Sequence, residues 1–295
     1  MASTTLEYLG PYRLLNVVNT GQTSRIWQAY DDNTRQFVGI KVLLEKYRRD
    51  REQINALKWE HVVAGNLHEE HIIRIHEFRV SRGIPYLAME WFSAPNLKQL
   101  VRLGPGRTDY RIPSIIDQAI LAMCVLAEQG WVHRDVKPDN FLVNDDNVVK
   151  LIDFALAVRI RRGLARLFPN KSRVQGTKSY MSPEQILGKP LDERSDLYSL
   201  GCSIFELIGG RPPYTGTSGN DLLMKHLRSA PPSLEVLNKN VTSEFSQLIR
   251  STMAKRPRNR PESFRDFLAK YRMVRIFRRT PKPPERMEPV SDSGG

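Results

Sequence analysis

Eight consecutive residues, His133-Arg134-Asp135-Val136-Lys137-Pro138-Asp139-Asn140, gather more reactive side chains than any other stretch of this chain. Thirteen positions after Asn140 comes Asp153-Phe154-Ala155. Between them lie Phe141-Leu142-Val143, the polar Asn144-Asp145-Asp146-Asn147 and Val148-Val149-Lys150-Leu151-Ile152, which read as two short strands joined by a tight turn. Such a hairpin carries Asp135 and Asn140 in and Asp153 out, so three oxygen-bearing side chains can meet on one side. Lys137 adds a cation. Carboxylate, amide and ammonium around one point suit phosphoryl transfer. Hard oxygens hold a divalent metal, a carboxylate orients the attacking hydroxyl, and a cation takes up charge on the moving group.

Elements on either side must position that hairpin. Residues 12–43 read as three strands, Tyr12 to Val18, Ser24 to Tyr30 and Gln36 to Leu43, separated by polar turns. Two more follow, Ile73 to Val80 and Pro85 to Trp91. Between the two groups, Leu57, Glu60, Ala64 and Leu67 fall on one helical stripe. Glu60 therefore points inward among apolar neighbours, and a buried carboxylate without a partner costs several kcal/mol. Lys41, at the end of the third strand, is the candidate partner. From residue 97 onward the periodicity is helical. Pro113 to Trp131 is a long apolar-rich helix, Leu191 to Ile208 is apolar nearly all round and so buried, and shorter helices follow at 221–227, 243–253 and 261–271. Residues 153–184 form a long basic segment with little apolar periodicity, the kind that in a compact domain carries function.

The residues from His133 to Asn140, with Asp153 behind them, resemble the catalytic loop of the eukaryotic-type protein kinases. Further matches run along residues 12–271. Gly39-Ile40-Lys41 resembles the kinase Val-Ala-Ile-Lys, and Ser182-Pro183-Glu184 resembles Ala-Pro-Glu. Lys137 is similar to the Ser/Thr branch. Asp-Leu-Tyr-Ser-Leu-Gly-Cys and Tyr-Met-Ser-Pro-Glu-Gln look most like the bacterial eukaryotic-like Ser/Thr kinases. The resemblance implies an α+β, bilobal fold: a small N-lobe of five antiparallel strands with one main helix, and a larger, mainly helical C-lobe. The expected boundaries are an extension at 1–11, N-lobe at 12–92, C-lobe at 93–277 and a disordered tail at 278–295, rich in Pro, Ser and charge.

The same resemblance implies ATP and Mg²⁺, with Mn²⁺ as an alternative, and protein substrates. Asp135 would orient the substrate hydroxyl, Lys137 would contact the γ-phosphate, and Thr177 would brace both. Asn140 and Asp153 would hold metal, and Lys41, paired to Glu60, would hold the nucleotide. Met89 is the expected gatekeeper of the adenine pocket, Glu90 and Phe92 offer backbone hydrogen bonds, and Val18, Ile26, Gly39 and Leu142 form its apolar walls. Gly39 replaces the usual Ala and should leave slightly more room. Of the glycine-rich loop only Gly21 survives, with Asn19 and Ser24 at the other glycine positions. Ala155 stands where the family has Gly. Arg134 points to control by activation-loop phosphorylation, for which Ser172, between Lys171 and Arg173, is the candidate. Asp196 resembles the Asp that accepts hydrogen bonds from the catalytic loop, and Arg260 the late Arg that pairs with Glu184. The altered glycine loop and Ala155 keep a pseudokinase, a nucleotide-binding scaffold or adaptor, as the alternative. Retention of Lys41, Glu60, Asp135, Lys137, Asn140 and Asp153 weighs against it, because a scaffold has no use for all six.

Composition narrows the remaining classes. The chain has 295 residues and a formal charge of +13 from 45 basic and 32 acidic side chains. Seven Lys or Arg and no acidic residue fall between Phe154 and Met181, and a second basic stretch runs from Lys270 to Arg286. Such a balance fits a plain basic, soluble surface or attraction to acidic proteins, nucleic acid or anionic lipid; no RNA- or DNA-binding signature accompanies either stretch, which argues against nucleic acid. No apolar run reaches the 18 or more residues that a membrane span needs. Cys124 and Cys202 lack metal-type spacing and read as reduced core thiols, which suits a cytoplasmic location. Nothing in the sequence bears on oligomeric state.

Overall fold

A computed structural model of the chain describes residues 7–104, 106, 108–160 and 175–283. Its smaller lobe is an antiparallel sheet built from β1 (Tyr8–Leu9), β2 (Tyr12–Thr20), β3 (Ser24–Asp31), β4 (Gln36–Leu43), β5 (Ile75–Ser81) and β6 (Ile84–Glu90), in the order β1-β2-β3-β4-β6-β5. Helix α1 (Arg51–Ala64) crosses from β4 to β5. Asp50 starts it, its carboxylate accepting the backbone N–H of Glu52 at 2.9 Å, which satisfies an otherwise orphaned donor.

Six strands rather than the expected five make this sheet. The extra one lies in the supposed extension: Tyr8 pairs with Arg13 and Leu9 with Tyr12. Leu9 is fully buried, so residues 8 and 9 belong to the lobe. Gly10 makes the turn at φ 63°, and a Cβ there would sit 2.6 Å from the Tyr86 hydroxyl. The signal in sequence was two residues long, too short for any period to register.

The larger lobe follows with α2 (Leu97–Arg102), α3 (Ile112–Glu128), β7 (Trp131–Val132), β8 (Phe141–Val143), β9 (Val149–Leu151) and β10 (Val158–Arg159). After the segment 161–174 come α4 (Pro183–Ile186), α5 (Glu193–Gly209), α6 (Gly219–Arg228), α7 (Ser243–Thr252) and α8 (Phe264–Met273). Strands β8 and β9 pair antiparallel, and so do β7 and β10. Helix α5 is capped by Asp192 and ends at Gly210 in the left-handed region, φ 75°. Its buried face is continuous with that of α3 in the main core. Residues Asp109–Glu128 are long and apolar enough to cross a membrane, but α3 packs against α5, α8 and β9 and half of that window is buried inside the lobe. It is the lobe's central helix.

Past α8 the chain stays attached. Phe277 bridges to Val241, the Arg278 N–H donates to Asn240 O at 2.7 Å, and the Arg279 N–H to Asn240 Oδ1 at 2.9 Å. Arg278 and Arg279 thus lie within the ordered lobe rather than in the tail expected from 278. Ser172 and residues 284–295, where modification and disorder were expected, lie outside the described residues.

Candidate active site

The hairpin β8–β9 and the end of β4 face each other across the gap between the lobes. Lys41 pairs in register with Leu87 on β6, a fully buried position, which fixes its direction. Its Nζ stands 2.7 Å from Glu60 Oε2 and 3.4 Å from Asp153 Oδ1. Burial works against a charged Lys41, but the carboxylates of Asp153 and Glu60 outweigh it and hold the ammonium protonated well above its ordinary range. The charge of Lys41, in turn, is the main reason Asp153 lies below its ordinary value. Glu60 is almost fully enclosed; burial pushes it up, while Lys41 and the Phe154 backbone N–H oppose that. The helical stripe in the sequence and the cost of stranding a carboxylate thus meet in one ion pair.

Asp135 is gripped from both sides. Thr177 donates its backbone N–H and its hydroxyl to Oδ1, both at 2.9 Å. Lys137 Nζ lies 2.6 Å from Oδ2 and 3.0 Å from the Thr177 hydroxyl. Asn140 donates its amide N–H to the Asp135 carbonyl at 2.8 Å, which turns its amide oxygen into the free acceptor. Beneath the loop, Asp196 on α5 accepts the backbone N–H groups of His133 at 2.6 Å and Arg134 at 2.9 Å. Burial raises the Asp196 carboxyl to about 7 against the pull of those two donors. Arg134 and Asp153 both take positive φ, 69° and 67°, where a non-glycine residue is uncommon and needs surrounding support. Ala155 is not among the positive-φ residues, so Ala in place of Gly meets no backbone strain there.

Residues expected to line an adenine pocket lie on β2, β3, β4, β6 and β8 and at the link between the lobes. Gly39 pairs with Met89, and a Cβ on Gly39 would come within 3.1 Å of Met89 Cγ. The space expected from the missing methyl is therefore already occupied by Met89. The backbone N–H of Glu90 donates to Arg74 O at 2.9 Å, so a contact from Glu90 to a base runs through its carbonyl. Phe92 follows at the link between lobes, and Leu142 lies on β8 below it. In the β2–β3 turn, the Gly21 N–H donates to Ser24 O at 2.9 Å. Neither Asn19 nor Ser24 takes positive φ, so the turn does not require the glycines that are missing. Asn19 pairs with Ile26 across it, and Val18 is exposed on β2.

Three connections were not anticipated from sequence. Lys150 on β9 reaches Glu90 Oε1 at 2.8 Å, joining the larger lobe to the interlobe link. It pairs directly with Leu142 in the β8–β9 register, and nothing local in the sequence sets it apart from a surface lysine. Gln185, buried in α4, donates to the carbonyls of Arg134 at 2.8 Å and Gln175 at 2.7 Å, tying the loop to the segment before Thr177. Glu206, deep in α5, accepts from Tyr180 at 2.5 Å and pairs with Lys98 of α2. The expected pair of Arg260 and Glu184 is bidentate and buried, at 2.7 and 2.9 Å.

Residues 12–271 match the family model for the protein kinase domain. The chain belongs to the protein kinase domain family. It is 29% identical over 286 residues to the serine/threonine-protein kinase PknB of Mycobacterium tuberculosis, covering 96% of this chain and 45% of that protein. It is 28% identical over 277 residues to PknA of Corynebacterium glutamicum, covering 92% and 58%. A probable serine/threonine-protein kinase of Clostridium acetobutylicum is 28% identical over 258 residues, covering 87% and 39%. This kinase chain thus spans roughly two-fifths to three-fifths of the length of those relatives. The crystal structure of the M. tuberculosis PknI kinase domain shares the fold at 21% identity, with a TM-score of 0.70 over 92% of this chain and 99% of that one. Protein kinases as a family use ATP and a divalent metal ion.

The donor set fits such an ion. Among the described residues no three His, Cys, Asp or Glu side chains cluster as a protein-only metal cage. One carboxylate, on Asp153, and one amide oxygen, on Asn140, instead offer the few hard oxygens that Mg²⁺ takes when phosphates and water complete its shell.

Proposed function

We propose that this domain transfers the γ-phosphoryl group of ATP to a serine or threonine hydroxyl of a protein. The observation that carries the reading is the simultaneous formation of two halves of a site. Lys41, Glu60 and Asp153 are linked on the nucleotide side, and Asp135, Lys137 and Thr177 are linked on the acceptor side. In this reaction there is little covalent work for the protein, so positioning and charge neutralisation supply most of the catalysis.

Lys41, held by Glu60, grips the α- and β-phosphates. The backbone carbonyl of Glu90 and the backbone of Phe92 take the base, which lies between Val18, Ile26 and Gly39 above and Leu142 below, with Met89 at the back. Asp153 and the Asn140 amide oxygen hold Mg²⁺, which neutralises charge on the phosphates when bound. Asp135 accepts the hydroxyl proton. Thr177 occupies Oδ1, so the incoming hydroxyl approaches Oδ2, beside Lys137, whose ammonium faces the moving phosphoryl group. The basic surface favours acidic protein substrates, and a cytoplasmic location suits both the ATP requirement and the two buried free thiols. We place the domain at residues 7–279, with the smaller lobe ending at Glu90.

A phosphatase-stripped sample incubated with ATP and Mg²⁺, beside Asp135→Asn, tests the reading by mass spectrometry. New phosphate on Ser or Thr of the wild type or of a generic acceptor protein, absent from the variant, supports it. ATP binding with no transfer to either would replace it with the scaffold alternative. Phosphate on Ser172 would add control through the loop.

A further inference from the structure

Glu206 lies on α5, whose residues from Ser195 to Ile208 are all buried. A carboxylate placed there needs partners, because burying its charge alone costs several kcal/mol. Two are present. The Tyr180 hydroxyl donates to Oε2 at 2.5 Å, and the Lys98 ammonium pairs with Oε1. Tyr180 is buried and comes from the loop ahead of α4, whereas Lys98 comes from α2, just past the link between the lobes. Lys98 Nζ also stands 3.5 Å from the Tyr180 hydroxyl, so the three groups form one cluster.

That cluster adjoins the acceptor side of the site. The Tyr180 N–H donates to the Thr177 carbonyl at 3.0 Å, and Thr177 holds Asp135 through its own N–H and hydroxyl. Burial and Glu206 push the Tyr180 hydroxyl well above its ordinary range, and the charge of Asp139, in the catalytic loop, adds to this. Helix α2 packs against both α5 and residues 138–140. The two ends of the ion pair differ in access. The Glu206 side chain is 2% exposed and that of Lys98 30%, so Lys98 stands on the solvent side of the carboxylate.

Lys98 is tethered on a helix, and a tethered partner acts at a high effective concentration. A basic side chain of an acceptor protein would have to displace it, exchanging one ion pair for another. It would also meet the Lys98 charge as repulsion, the element that sets specificity against a competitor. We infer that Lys98 is a specificity-determining residue: it fills the anionic site at Glu206 and so turns acceptor choice against basic residues beside the target Ser or Thr. The acceptor preference rests on the kinase reading above; the filling of a cation site by Lys98 does not.

Chemical rescue on the full chain tests the site without any reaction. Lys98→Ala removes the ammonium and its stem, and propylammonium supplies the same atoms. The melting temperature of Lys98→Ala should rise saturably with propylammonium chloride, measured against sodium chloride at equal ionic strength. The wild type should not respond, nor should Lys98→Ala/Glu206→Gln, which strands no charge. If Lys98→Ala needs the amine to fold, the rescue is read from the refolding yield. No saturable rise, or an equal rise in the wild type, would overturn the inference.

Acceptor choice is read from kcat/KM on Ser peptides carrying Arg or Ala at each position flanking the Ser. The wild type should favour Arg at none of them. Lys98→Ala should raise the Arg-to-Ala ratio about tenfold at one position, the effect of one charge-assisted hydrogen bond. Glu206→Gln leaves the Lys98 charge without its counterion and should lower the ratio about threefold. A wild type that favours Arg, or variants with unchanged ratios, would overturn the inference. A wild-type chain that phosphorylates no peptide would sink the kinase reading alone, and the amine rescue would still decide whether Lys98 fills a cation site.

Discussion

Lys150 Nζ lies 2.8 Å from Glu90 Oε1, so the floor of the proposed adenine pocket is bolted to its hinge. Glu90 Oε1 also accepts the Arg74 N–H at 2.7 Å, and the Lys150 ammonium lies 5.9 Å from the Phe92 ring centroid. The pair is mostly shielded, with side-chain exposures of 12% and 26%, which places it above the weakest surface bridges. Lys150→Met keeps the aliphatic stem and removes the charge. The KM for ATP should rise about fivefold, the equivalent of ~1 kcal/mol, with kcat changed less than about twofold. Steady-state kinetics with ATP varied would show this; an equal fall in kcat would mean that the pair acts on the transition state instead.

Gly39 and Met89 compete for one volume. A methyl on Gly39 would stand 3.1 Å from Met89 Cγ, close enough that Met89 must yield by a few tenths of an ångström. Gly39→Ala should therefore push Met89 toward the nucleotide and raise the KM for ATP about threefold, and Met89→Ala in the same chain should cancel the increase. A double-mutant cycle would show a coupling of ~0.6 kcal/mol between the two positions, within the range for residues in contact. Additive effects would place the two side chains out of contact.

How much of this was legible in the sequence depended on the range of each interaction. The hairpin from Phe141 to Ile152 announced itself by its polar turn, and the Glu60 stripe by its period, because both signals are local. The contacts of Lys150, Gln185 and Lys98 were not legible. Each makes its decisive contact with a residue 50 or more positions away, and each alone looks like a surface lysine or a helix amide. The role of β1 was hidden by its length, and the filling of the Gly39 space by Met89 depended on a cross-strand register that no periodicity reports.

The docked end of the chain should be needed for stability. Phe277 is 5% exposed and belongs to the main core, although it lies beyond residue 271, where the family match stops. Phe277→Ala should cost about 3–5 kcal/mol, as for other buried Phe truncations. Arg275→Ala, on the exposed side of the same stretch, should cost less than about 0.5 kcal/mol. Urea unfolding curves of the two variants would separate these outcomes. A Phe277→Ala curve overlying the wild type would show that residues 275–279 only rest on the surface.

His226 should make the domain acid-sensitive in a defined window. Its ring is fully buried beside Tyr198 and Tyr214, with Nδ1 2.9 Å from the Tyr198 hydroxyl. Burial, helped by the nearby ammonium of Lys255, lowers its pKa from 6.5 to about 4. Between those values the unfolded chain takes up a proton that the folded chain refuses, so stability falls as pH drops from 6.5 to 4. The contribution is about 3 kcal/mol across the window. Asp196 has the opposite sign. Its carboxyl is raised to about 7, so its contribution is largest below the unfolded value of 3.8 and is lost as pH rises toward 7. The two partly cancel in the wild type, so the informative quantity is the difference between wild type and His226→Gln. That difference should shift by about 3 kcal/mol in favour of the variant as pH is lowered from 7 to 4. Denaturant melts at half-unit pH steps would measure it. A flat difference would mean that the ring keeps an ordinary affinity for its proton inside the fold.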